Sequence, residues 1–315
     1  MAAGGTGGHV YPALSVAREL EKRFQPVSII FAGTDRGPGA EAARGAGFGF
    51  ERVSAGGFDR KLSLSLFGFI AKAAAGFMQC IRMFMDFCPS VVVGMGGYAS
   101  VPAVAAARFL GIPVLIHEQN AVPGLANRVL SWCASVTAVG FEEARSAFGH
   151  GRAVVTGNPV REEIIAADRD SSRRSFGIGA DERVLLILGG SLGAERINEA
   201  AADFIKSGVP AGIGIFWMTG GKKYPKYRDF GSEHVFVAPF FNDIAAVYAA
   251  ADLAVCRAGA STVSELATRR LPSVLVPYPY ATDRHQNANA GVLAGAGAAV
   301  TVDDSVFTGK KLGDI

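Results

Sequence analysis

The chain has 315 residues, 50% of them apolar, and a formal net charge of +3. This length and apolar content suit two domains that each bury a core. The scattered lysines and arginines give no case for nucleic-acid binding. The four cysteines form no CxxC pair and lie among apolar residues, which predicts buried, reduced thiols in a cytosolic protein.

Short apolar runs that end in glycine or polar residues alternate with helical stretches, a pattern typical of parallel α/β sheets. A first set of candidate strands comprises residues 28–31, 91–93, 114–116, 136–139 and 153–155. The charged segment from Arg161 to Arg174 is predicted to connect to a second domain. The candidate strands of that domain are residues 184–188, 213–218, 235–237, 253–256, 273–276 and 298–302. We therefore predict two doubly wound parallel-sheet domains, residues 1–160 and 161–315.

The segment from Gly4 to His9 is a glycine-rich loop that is predicted to enter a helix through Pro12, a residue suited to a first helical turn. Two interpretations are open. In one, the loop is a tight turn and His9 is a cap. In the other, the glycines let a sugar or phosphate approach the backbone, while the His9 imidazole accepts a hydroxyl proton near neutral pH.

Residues 63–87 are predicted to form a helix with a narrow polar face. The small and polar residues on that face are Gly68, Lys72, Ala75, Gln79, Arg82 and Asp86. Polar residues interrupt the apolar run too often for a membrane-spanning helix. Either the helix is buried in the core, or part of its apolar surface, flanked by Arg60, Lys61 and Lys72, rests on anionic lipid. The same helix can be partly buried in the core and partly in contact with lipid.

Several polar motifs lie between these elements. HEQN at 117–120 follows a strand, but it lacks the spacing of a zinc motif, so we expect no metal site, and Asn120 is a candidate sugar or acceptor contact. Arg161 follows a proline turn, where a hinge ion pair is the simplest interpretation. DRD at 168–170 matches a pattern that can hold a metal diphosphate, but no strand precedes it. We interpret it as part of a solvated linker.

Residues 252–290 predict one βαβ unit with a ligand site. A strand is followed by a turn of small residues and a helix opened by Ser261 and Thr262. The N–H groups and positive dipole end of such a helix favour a diphosphate without a metal. Glu265, one turn inside the helix, is suited to accept two hydroxyls of a ribose. The polar segment from Asp283 to Gln286 follows the next strand, at the same sheet edge, where a sugar would fit.

These motifs, in their order, resemble those of MurG-type glycosyltransferases, which add N-acetylglucosamine from its UDP ester to lipid-linked muramyl-pentapeptide in peptidoglycan synthesis. The matching segments are AGGTGGH at 3–9, GMGGYAS at 94–100, HEQN at 117–120, GNPVR at 157–161, GGSLGA at 189–194 and residues 252–290. They cover nearly the whole chain. A single glycine-rich loop is weak support, but an ordered set of this kind is specific.

The resemblance implies the GT-B fold, in which two Rossmann-like domains face each other across a cleft. It implies that the C-terminal domain holds UDP-N-acetylglucosamine, that the acceptor approaches from the N-terminal domain, and that neither metal nor cofactor is needed. His9 is the implied general base of an inverting transfer to the muramyl 4-hydroxyl. The implied substrate-binding residues are Thr6, Gly7, Gly8, Tyr98, Asn120, Arg161, Ser191, Phe241, Ala260, Ser261, Thr262, Val263, Ser264, Glu265 and Gln286.

The family consists of peripheral membrane enzymes with an apolar, basic-rimmed patch on the N-terminal domain. The resemblance therefore favours lipid contact for the helix at 63–87, at the cytoplasmic face of the cell membrane. The residues expected to contact an anionic membrane surface are Leu66, Phe67, Phe69, Ile70 and Phe77.

Two alternative functions stay open. A UDP-N-acetylglucosamine 2-epimerase has the same architecture and acts without an acceptor, and a UDP-sugar-binding protein has no activity. Compared with the family, the chain is expected to lack the first strand before Gly4 and the helices that follow Ile315. We expect neighbouring strands to have unpaired backbone groups, UDP-sugar binding to be weak and transfer to be poor.

Overall fold

In a computed structural model the chain forms two compact units, Met1–Pro159 and Val160–Ile315. The structure describes residues 1–4, 6–35, 37–56, 65–149, 153–179, 181–190 and 193–315, and for residues 65–70 it describes the backbone alone. Each unit contains parallel strands and helices that alternate along the chain. The predicted class, two parallel-sheet α/β domains, is confirmed.

The first unit contains two groups of parallel strands, and the first residues of the chain lie between them. Its strands are β1 (Ile30–Gly33), β2 (Gly49–Arg52), β3 (Val92–Gly94), β4 (Val114–Glu118), β5 (Val136–Val139) and β6 (Ala153–Val155). β1 pairs with β2, and β3 to β6 pair in chain order. Ala2 lies between the two groups and bridges Ala32 and Gly94 in parallel. The predicted strands are confirmed; β2 was missed because it is a largely exposed edge strand without an apolar run.

The first three residues satisfy part of the backbone that we expected to be unpaired. The Ala2 N–H donates to the Val93 carbonyl at 2.7 Å, and the Met95 N–H donates to the Ala2 carbonyl at 2.8 Å. On the other side, the Ala32 N–H donates to the Met1 carbonyl at 2.8 Å. Because these bonds close the sheet beside the glycine loop, the expectation of unpaired groups is wrong at this position.

The helices of the first unit are α1 (Gly7–Arg23), α2 (Gly39–Gly45), α3 (Ser65–Phe87), α4 (Ser100–Phe109), α5 (Leu125–Leu130) and α6 (Glu142–Arg145), with a 3-10 turn at Ser131–Cys133. Because α1 begins at Gly7, Pro12 lies in its second turn, and the predicted first-turn position is wrong. The missing N–H of Pro12 removes only the bond to the Gly8 carbonyl, in the first turn, so the helix continues.

One face of α3 belongs to the core of the first unit. Cys80 and Phe84 are buried, and a Cβ on Gly76 would lie 2.0 Å from the Ser54 carbonyl, so only glycine permits this approach. The opposite face is accessible at Met78 and Met85, whose exposed fractions are 51% and 67%. In the described part of the chain, no helix is long and apolar enough to cross a membrane.

The second unit contains a six-stranded parallel sheet. Its strands are β7 (Arg183–Leu188), β8 (Ile213–Met218), β9 (Val235–Ala238), β10 (Leu253–Cys256), β11 (Ser273–Leu275) and β12 (Ala299–Thr301). Their spatial order is β12-β11-β10-β7-β8-β9, so the direction of winding reverses between β7 and β10. A reversal of this kind opens a crevice at the carboxyl ends of the strands, where ligands of doubly wound sheets bind.

The helices of the second unit are α7 (Glu162–Ala166), α8 (Arg169–Ser175), α9 (Glu195–Ser207), α10 (Tyr224–Tyr227), α11 (Ile244–Ala250), α12 (Ala260–Arg269), α13 (His285–Gly295) and α14 (Gly309–Gly313). Three 3-10 turns supplement them, at Arg228–Phe230, Thr282–Arg284 and Asp304–Val306. The core contains the fully buried side chains of Trp217 and Phe307.

The charged segment that we interpreted as a solvated linker instead forms α7 and α8 of the second unit. Asp168 caps α8 by accepting the Ser171 N–H at 2.9 Å. Arg173 is buried and donates to Asp252 at 3.3 Å, and Arg169 donates to Asp252 at 2.7 Å. The interpretation is wrong because the Asp252 carboxylate, directly before β10, balances the charge of these arginines.

The prediction of four buried thiols is only partly correct. All four cysteines are free, but only Cys80 and Cys256 are buried, whereas Cys88 is exposed and Cys133 half-buried. Burial raises the pKa of the Cys80 and Cys256 thiols to about 12, so both are neutral.

Candidate functional site

The candidate site of the first unit begins at the start of α1. Thr6 is extended, and Gly7, Gly8 and His9 form the first helical turn. The His9 Nδ1 lies 2.9 Å from the Gly4 carbonyl and 3.1 Å from the Thr6 hydroxyl. Because a carbonyl oxygen only accepts, this contact favours the tautomer with the proton on Nδ1. The Nε2 atom is then the basic nitrogen of the ring, as a general base requires.

The loop after β3 packs directly on the loop that precedes α1. Gly97 has a φ of +75°, and a Cβ at this position would lie 3.1 Å from the Gly4 carbonyl. A Cβ on Gly96 would lie 3.2 Å from both the His9 Nε2 and the Asn127 Nδ2. The two loops therefore approach at backbone distance, and His9 and Asn127 lie beside the same glycine. Tyr98 follows in the turn before α4 and is 52% exposed.

His117 and Glu118, at the end of β4, are buried. The His117 Nε2 lies 3.1 Å from the Gly157 carbonyl, and its Nδ1 lies 3.1 Å from the Gln119 amide nitrogen. Burial lowers the pKa of His117, so its ring is neutral at pH 7. In the described part of the chain, no group of three His, Cys, Asp or Glu side chains could hold a metal ion.

The Glu118 carboxylate supports the chain between β4 and α5. Its Oε1 accepts the N–H and the side-chain amide of Asn120 at 2.9 and 3.1 Å. Its Oε2 accepts the Gly124 N–H at 3.1 Å and the Asn127 amide at 2.8 Å. Asn120, a predicted site residue, is thus held by a carboxylate that the sequence had not singled out. Asn127 was missed as well, although a polar residue between apolar helix positions was a usable signal.

The candidate site of the second unit is centred on the start of α12, at the carboxyl end of β10. Gly259 is the N-cap residue of the helix and is extended. As a glycine it has no side chain that could cap the helix N–H groups. The Ser261 hydroxyl is buried and has no hydrogen-bond partner among the residues that the structure describes. A buried, unpaired hydroxyl beside the free N–H groups of a helix start is suited to an oxyanion ligand. Val263 is fully buried, and its N–H donates to the Gly259 carbonyl at 2.9 Å, so this predicted site residue supports the helix start rather than facing a ligand.

Glu265 lies in the second turn of α12 and its side chain is 13% exposed. Its Oε1 accepts from the Arg161 guanidinium at 3.1 Å, and its Oε2 accepts from the Tyr248 hydroxyl at 3.0 Å. Burial raises the pKa of Glu265, and the contacts with Arg161 and Tyr248 oppose that rise. Arg161 therefore pairs within the second unit, and Tyr248 is a site component that sequence reasoning missed.

The remaining predicted donor residues follow other strands of the same sheet. The Gln286 Oε1 accepts the Tyr278 N–H at 2.8 Å, which fixes the amide at the start of α13. Phe241 follows β9, and its ring contacts that of Phe216 edge-on at 5.7 Å, so the backbone of this loop is anchored to the core. Ser191 lies outside the described residues. The carboxyl ends of parallel strands share one edge, so the described loops lie at the same edge of the sheet as the crevice between β7 and β10.

Comparisons with known proteins agree on the type of protein. The glycosyltransferase family 28 N-terminal domain matches residues 1–139, and the family's C-terminal domain matches residues 184–314. A Desulforamulus reducens protein named UDP-N-acetylglucosamine--N-acetylmuramyl-(pentapeptide) pyrophosphoryl-undecaprenol N-acetylglucosamine transferase is 42% identical over 320 residues, covering 98% of this chain and 86% of its own length.

Solved structures give the same result. The crystal structure of Acinetobacter baumannii MurG matches with a TM-score of 0.75 and 32% identity, covering 99% of this chain and 88% of that one. A Methanocaldococcus jannaschii UDP-GlcNAc 2-epimerase matches with a TM-score of 0.61 but 14% identity, covering 98% and 89%. At that identity the epimerase shares the fold alone.

Proposed function

The chain belongs to glycosyltransferase family 28, and on that premise we propose that it transfers N-acetylglucosamine from UDP-N-acetylglucosamine to undecaprenyl-diphospho-muramyl-pentapeptide. The muramyl 4-hydroxyl is the nucleophile, and the anomeric carbon is inverted. The product is the disaccharide lipid precursor of peptidoglycan. The observation that carries this proposal is the start of α12. There the buried Ser261 hydroxyl, which has no partner in the described part of the chain, precedes the Glu265 carboxylate by four residues.

In the donor half, the free N–H groups of the first turn of α12, on Ala260, Ser261 and Thr262, bind the UDP diphosphate, and Val263 and Ser264 continue the helix behind them. The helix dipole stabilises the negative charge that grows on the diphosphate as the glycosidic bond breaks. A carboxylate offers about four lone-pair positions. Arg161 and Tyr248 use two of those on Glu265, so two are left for the ribose hydroxyls. The Phe241 backbone contacts the uracil, Ser191 assists at the diphosphate, and Gln286 contacts the transferred sugar.

In the acceptor half, His9 takes the proton from the attacking hydroxyl through Nε2. The Gly4 carbonyl orients the ring by accepting the proton on Nδ1, so that Nε2 is left as the basic nitrogen. Thr6, Gly7 and Gly8 present backbone at the start of α1, while Tyr98 and Asn120 contribute side chains from the two neighbouring loops. No metal ion or cofactor takes part in the proposed reaction.

We also propose that the first unit rests on the cytoplasmic face of the cell membrane. Phe77 is half-buried, and its ring contacts Phe109, which is 73% exposed, at 5.7 Å. Trp132 is also 73% exposed, and the basic residues Arg108 and Arg128 are exposed nearby in the sequence. Exposed rings with adjacent cations suit the interface of an anionic bilayer. The side chains of the other proposed contacts, Leu66, Phe67, Phe69 and Ile70, lie outside the described part of the structure.

The experiment that tests the function is incubation of the protein with UDP-N-acetylglucosamine, with and without lipid-linked muramyl-pentapeptide. Release of UDP that depends on the lipid, together with a disaccharide product, is the expected result. Conversion of the UDP-sugar without an acceptor would identify an epimerase. Binding of UDP with no conversion under either condition would identify a binding protein.

The membrane proposal needs a separate test, because release of UDP reports transfer and not the surface that contacts the membrane. Replacing Phe109 and Trp132 by Ser is expected to release the protein from anionic vesicles, since each ring contributes up to about 1.5–3 kcal/mol of partitioning. Replacing Phe24, which is 59% exposed and lies outside the proposed surface, serves as the control. Unchanged vesicle binding of the double variant would exclude this surface.

A further inference from the structure

Glu265, the proposed ribose contact, is hydrogen-bonded to a tyrosine that is shielded from solvent. Tyr248 is in α11 and is 3% exposed, and its hydroxyl donates to the Glu265 Oε2 at 3.0 Å. The rest of this short helix is built from alanine, valine and isoleucine. A buried phenol hydroxyl is costly unless it is hydrogen-bonded, and here the partner is the carboxylate of the candidate site.

The contact is directional. Burial raises the pKa of Tyr248 well above its ordinary value, so the hydroxyl is protonated and acts as the donor, while Glu265 accepts. Arg161 binds the other carboxylate oxygen at 3.1 Å. One donor on each oxygen prevents rotation of the carboxylate about its last bond, and together they leave two of the four lone-pair positions unused.

We propose that Tyr248 is a positioning residue of the donor site, which fixes the Glu265 carboxylate in the orientation that accepts the two ribose hydroxyls. Tyr248 is shielded from solvent, so it acts through Glu265 rather than by contacting the substrate. This inference rests on the proposed role of Glu265 in binding UDP. It adds a residue from a different helix, α11, to the set that determines donor affinity.

The charged surroundings of Glu265 define how the contact affects its titration. Arg161, before α7, favours the ionised form, whereas Glu163 in α7 and the buried Cys256 of β10 are the neighbouring acidic groups. Arg269, one turn further along α12, directs its guanidinium to the Ala167 carbonyl at 2.8 Å. His285, at the start of the packed helix α13, directs Nδ1 to the Thr282 carbonyl at 2.7 Å.

Within these surroundings the Tyr248 hydroxyl stabilises the ionised carboxylate. Removing the hydroxyl takes away a hydrogen bond that lowers the pKa of Glu265. That pKa therefore rises further, in the direction in which burial already shifts it. UDP binding requires the ionised form, so affinity falls as the pH decreases through that pKa. Without the hydroxyl, the fall in affinity begins at a higher pH. A tyrosine that served only to fill space would not produce this shift.

The test measures UDP affinity by calorimetry between pH 5 and pH 8 for the wild-type chain, Tyr248→Phe, Glu265→Gln and the double variant. Tyr248→Phe is expected to weaken UDP binding by about tenfold at pH 7, the size of one hydrogen bond to a charged group. The acid limb of the binding curve, meaning the fall in UDP affinity as the pH decreases, is expected to begin at a higher pH in this variant. In the Glu265→Gln background the same substitution is expected to have little effect, because Tyr248 acts through that carboxylate.

A matched control is available in the same unit. The Tyr227 hydroxyl lies 3.2 Å from the Glu195 Oε1, and its ring is 2% exposed. Lys223 and Lys226 lower the pKa of Glu195 to about 2, well below the measured range. Tyr227→Phe therefore removes an equivalent buried hydroxyl, and it is expected to leave both UDP affinity and its acid limb unchanged.

The outcomes separate this inference from the proposed function. Equal UDP binding by the wild type and Glu265→Gln, or no binding by either, would overturn the donor site and the inference with it. Loss of binding in Glu265→Gln but not in Tyr248→Phe would overturn the inference alone. A loss in Tyr248→Phe that is equally large in the Glu265→Gln background, with no movement of the acid limb, would assign Tyr248 to packing.

Discussion

Each of the two units holds a largely buried carboxylate near the carboxyl ends of its strands, and the two carboxylates differ in how many hydrogen bonds they accept. Glu118 is 2% exposed and accepts four N–H groups, from Asn120, Gly124 and Asn127. Glu265 is 13% exposed at its side chain, and among the described residues it accepts only from Arg161 and Tyr248. All of the lone-pair positions are used in the first case and half in the second. A saturated carboxylate supports loops, whereas a half-saturated one at a crevice can accept a ligand.

The same contrast extends to the way each site is built. The first unit brings neutral loops together at backbone distance, so that His9, Gly96 and Asn127 meet. The second unit presents the end of a helix and an ion pair. We therefore expect changes in the first unit to affect the chemical step, and changes in the second to affect donor affinity.

His9→Ala should have the largest effect and tests the first half of this contrast. General base catalysis is worth roughly 10²–10⁴-fold, so turnover should fall by that factor while UDP affinity changes little. Steady-state kinetics and calorimetry measure the two quantities. His234→Ala, at a histidine that is 64% exposed in the second unit, is the control. A His9→Ala protein that retained most of its turnover would limit His9 to shaping the loop.

Glu265→Gln tests the second half. The substitution removes the charge that accepts the ribose hydroxyls, and charge-assisted hydrogen bonds are worth about 1.5–3 kcal/mol. UDP affinity should decrease by about tenfold to a hundredfold. Glu199→Gln, at a carboxylate that is 47% exposed on α9, should leave it unchanged. Calorimetry with equal affinity for both variants would remove Glu265 from the site.

Glu118→Gln is the direct counterpart. The new amide group brings N–H donors against the donors of Asn120, Gly124 and Asn127, so buried groups lose their partners at a cost of about 1–3 kcal/mol each. The first unit should melt at a lower temperature, whereas UDP affinity, which we assign to the second unit, should be unchanged. A variant with normal melting and weakened UDP binding would contradict the distinction between the two carboxylates.

The sequence predicted the fold well because the strands of both sheets are apolar runs, and only β2, an exposed edge strand, was missed. It also predicted a helix start near Ser261, one residue after the observed start at Ala260, since small residues between a strand and a helix are a local signal. The difference between Glu118 and Glu265 was not predictable, because it depends on donors contributed by other segments. Tyr248 was missed for the same reason: in an apolar run, it reads as a core residue.

The charged segment of α7 and α8 failed as a prediction for a related physical reason. Its arginines looked solvated, but the partner of Arg173 is Asp252, which lies far along the chain. Sequence patterns report local preference, and ion pairs between distant segments are invisible to them. The start of α1 is a milder case, since Pro12 suggested a later first turn than the one that forms at Gly7.

Ser261→Ala should have the smallest effect, and it tests whether the second site is prepared for a ligand. The hydroxyl is buried and no described residue pairs with it, so its removal should leave the melting temperature unchanged or slightly higher. With UDP bound, the variant lacks one hydrogen bond of about 0.5–1.5 kcal/mol, so affinity should fall by about twofold to tenfold. The control is Thr268→Ala, whose hydroxyl already donates to the Ser264 carbonyl at 2.8 Å and should not affect UDP. Opposite signs for stability and affinity are the signature of a group whose partner is the ligand. If Ser261→Ala instead lowered the melting temperature and left UDP affinity intact, the hydroxyl would belong to the fold, and the start of α12 would no longer carry the proposed diphosphate site.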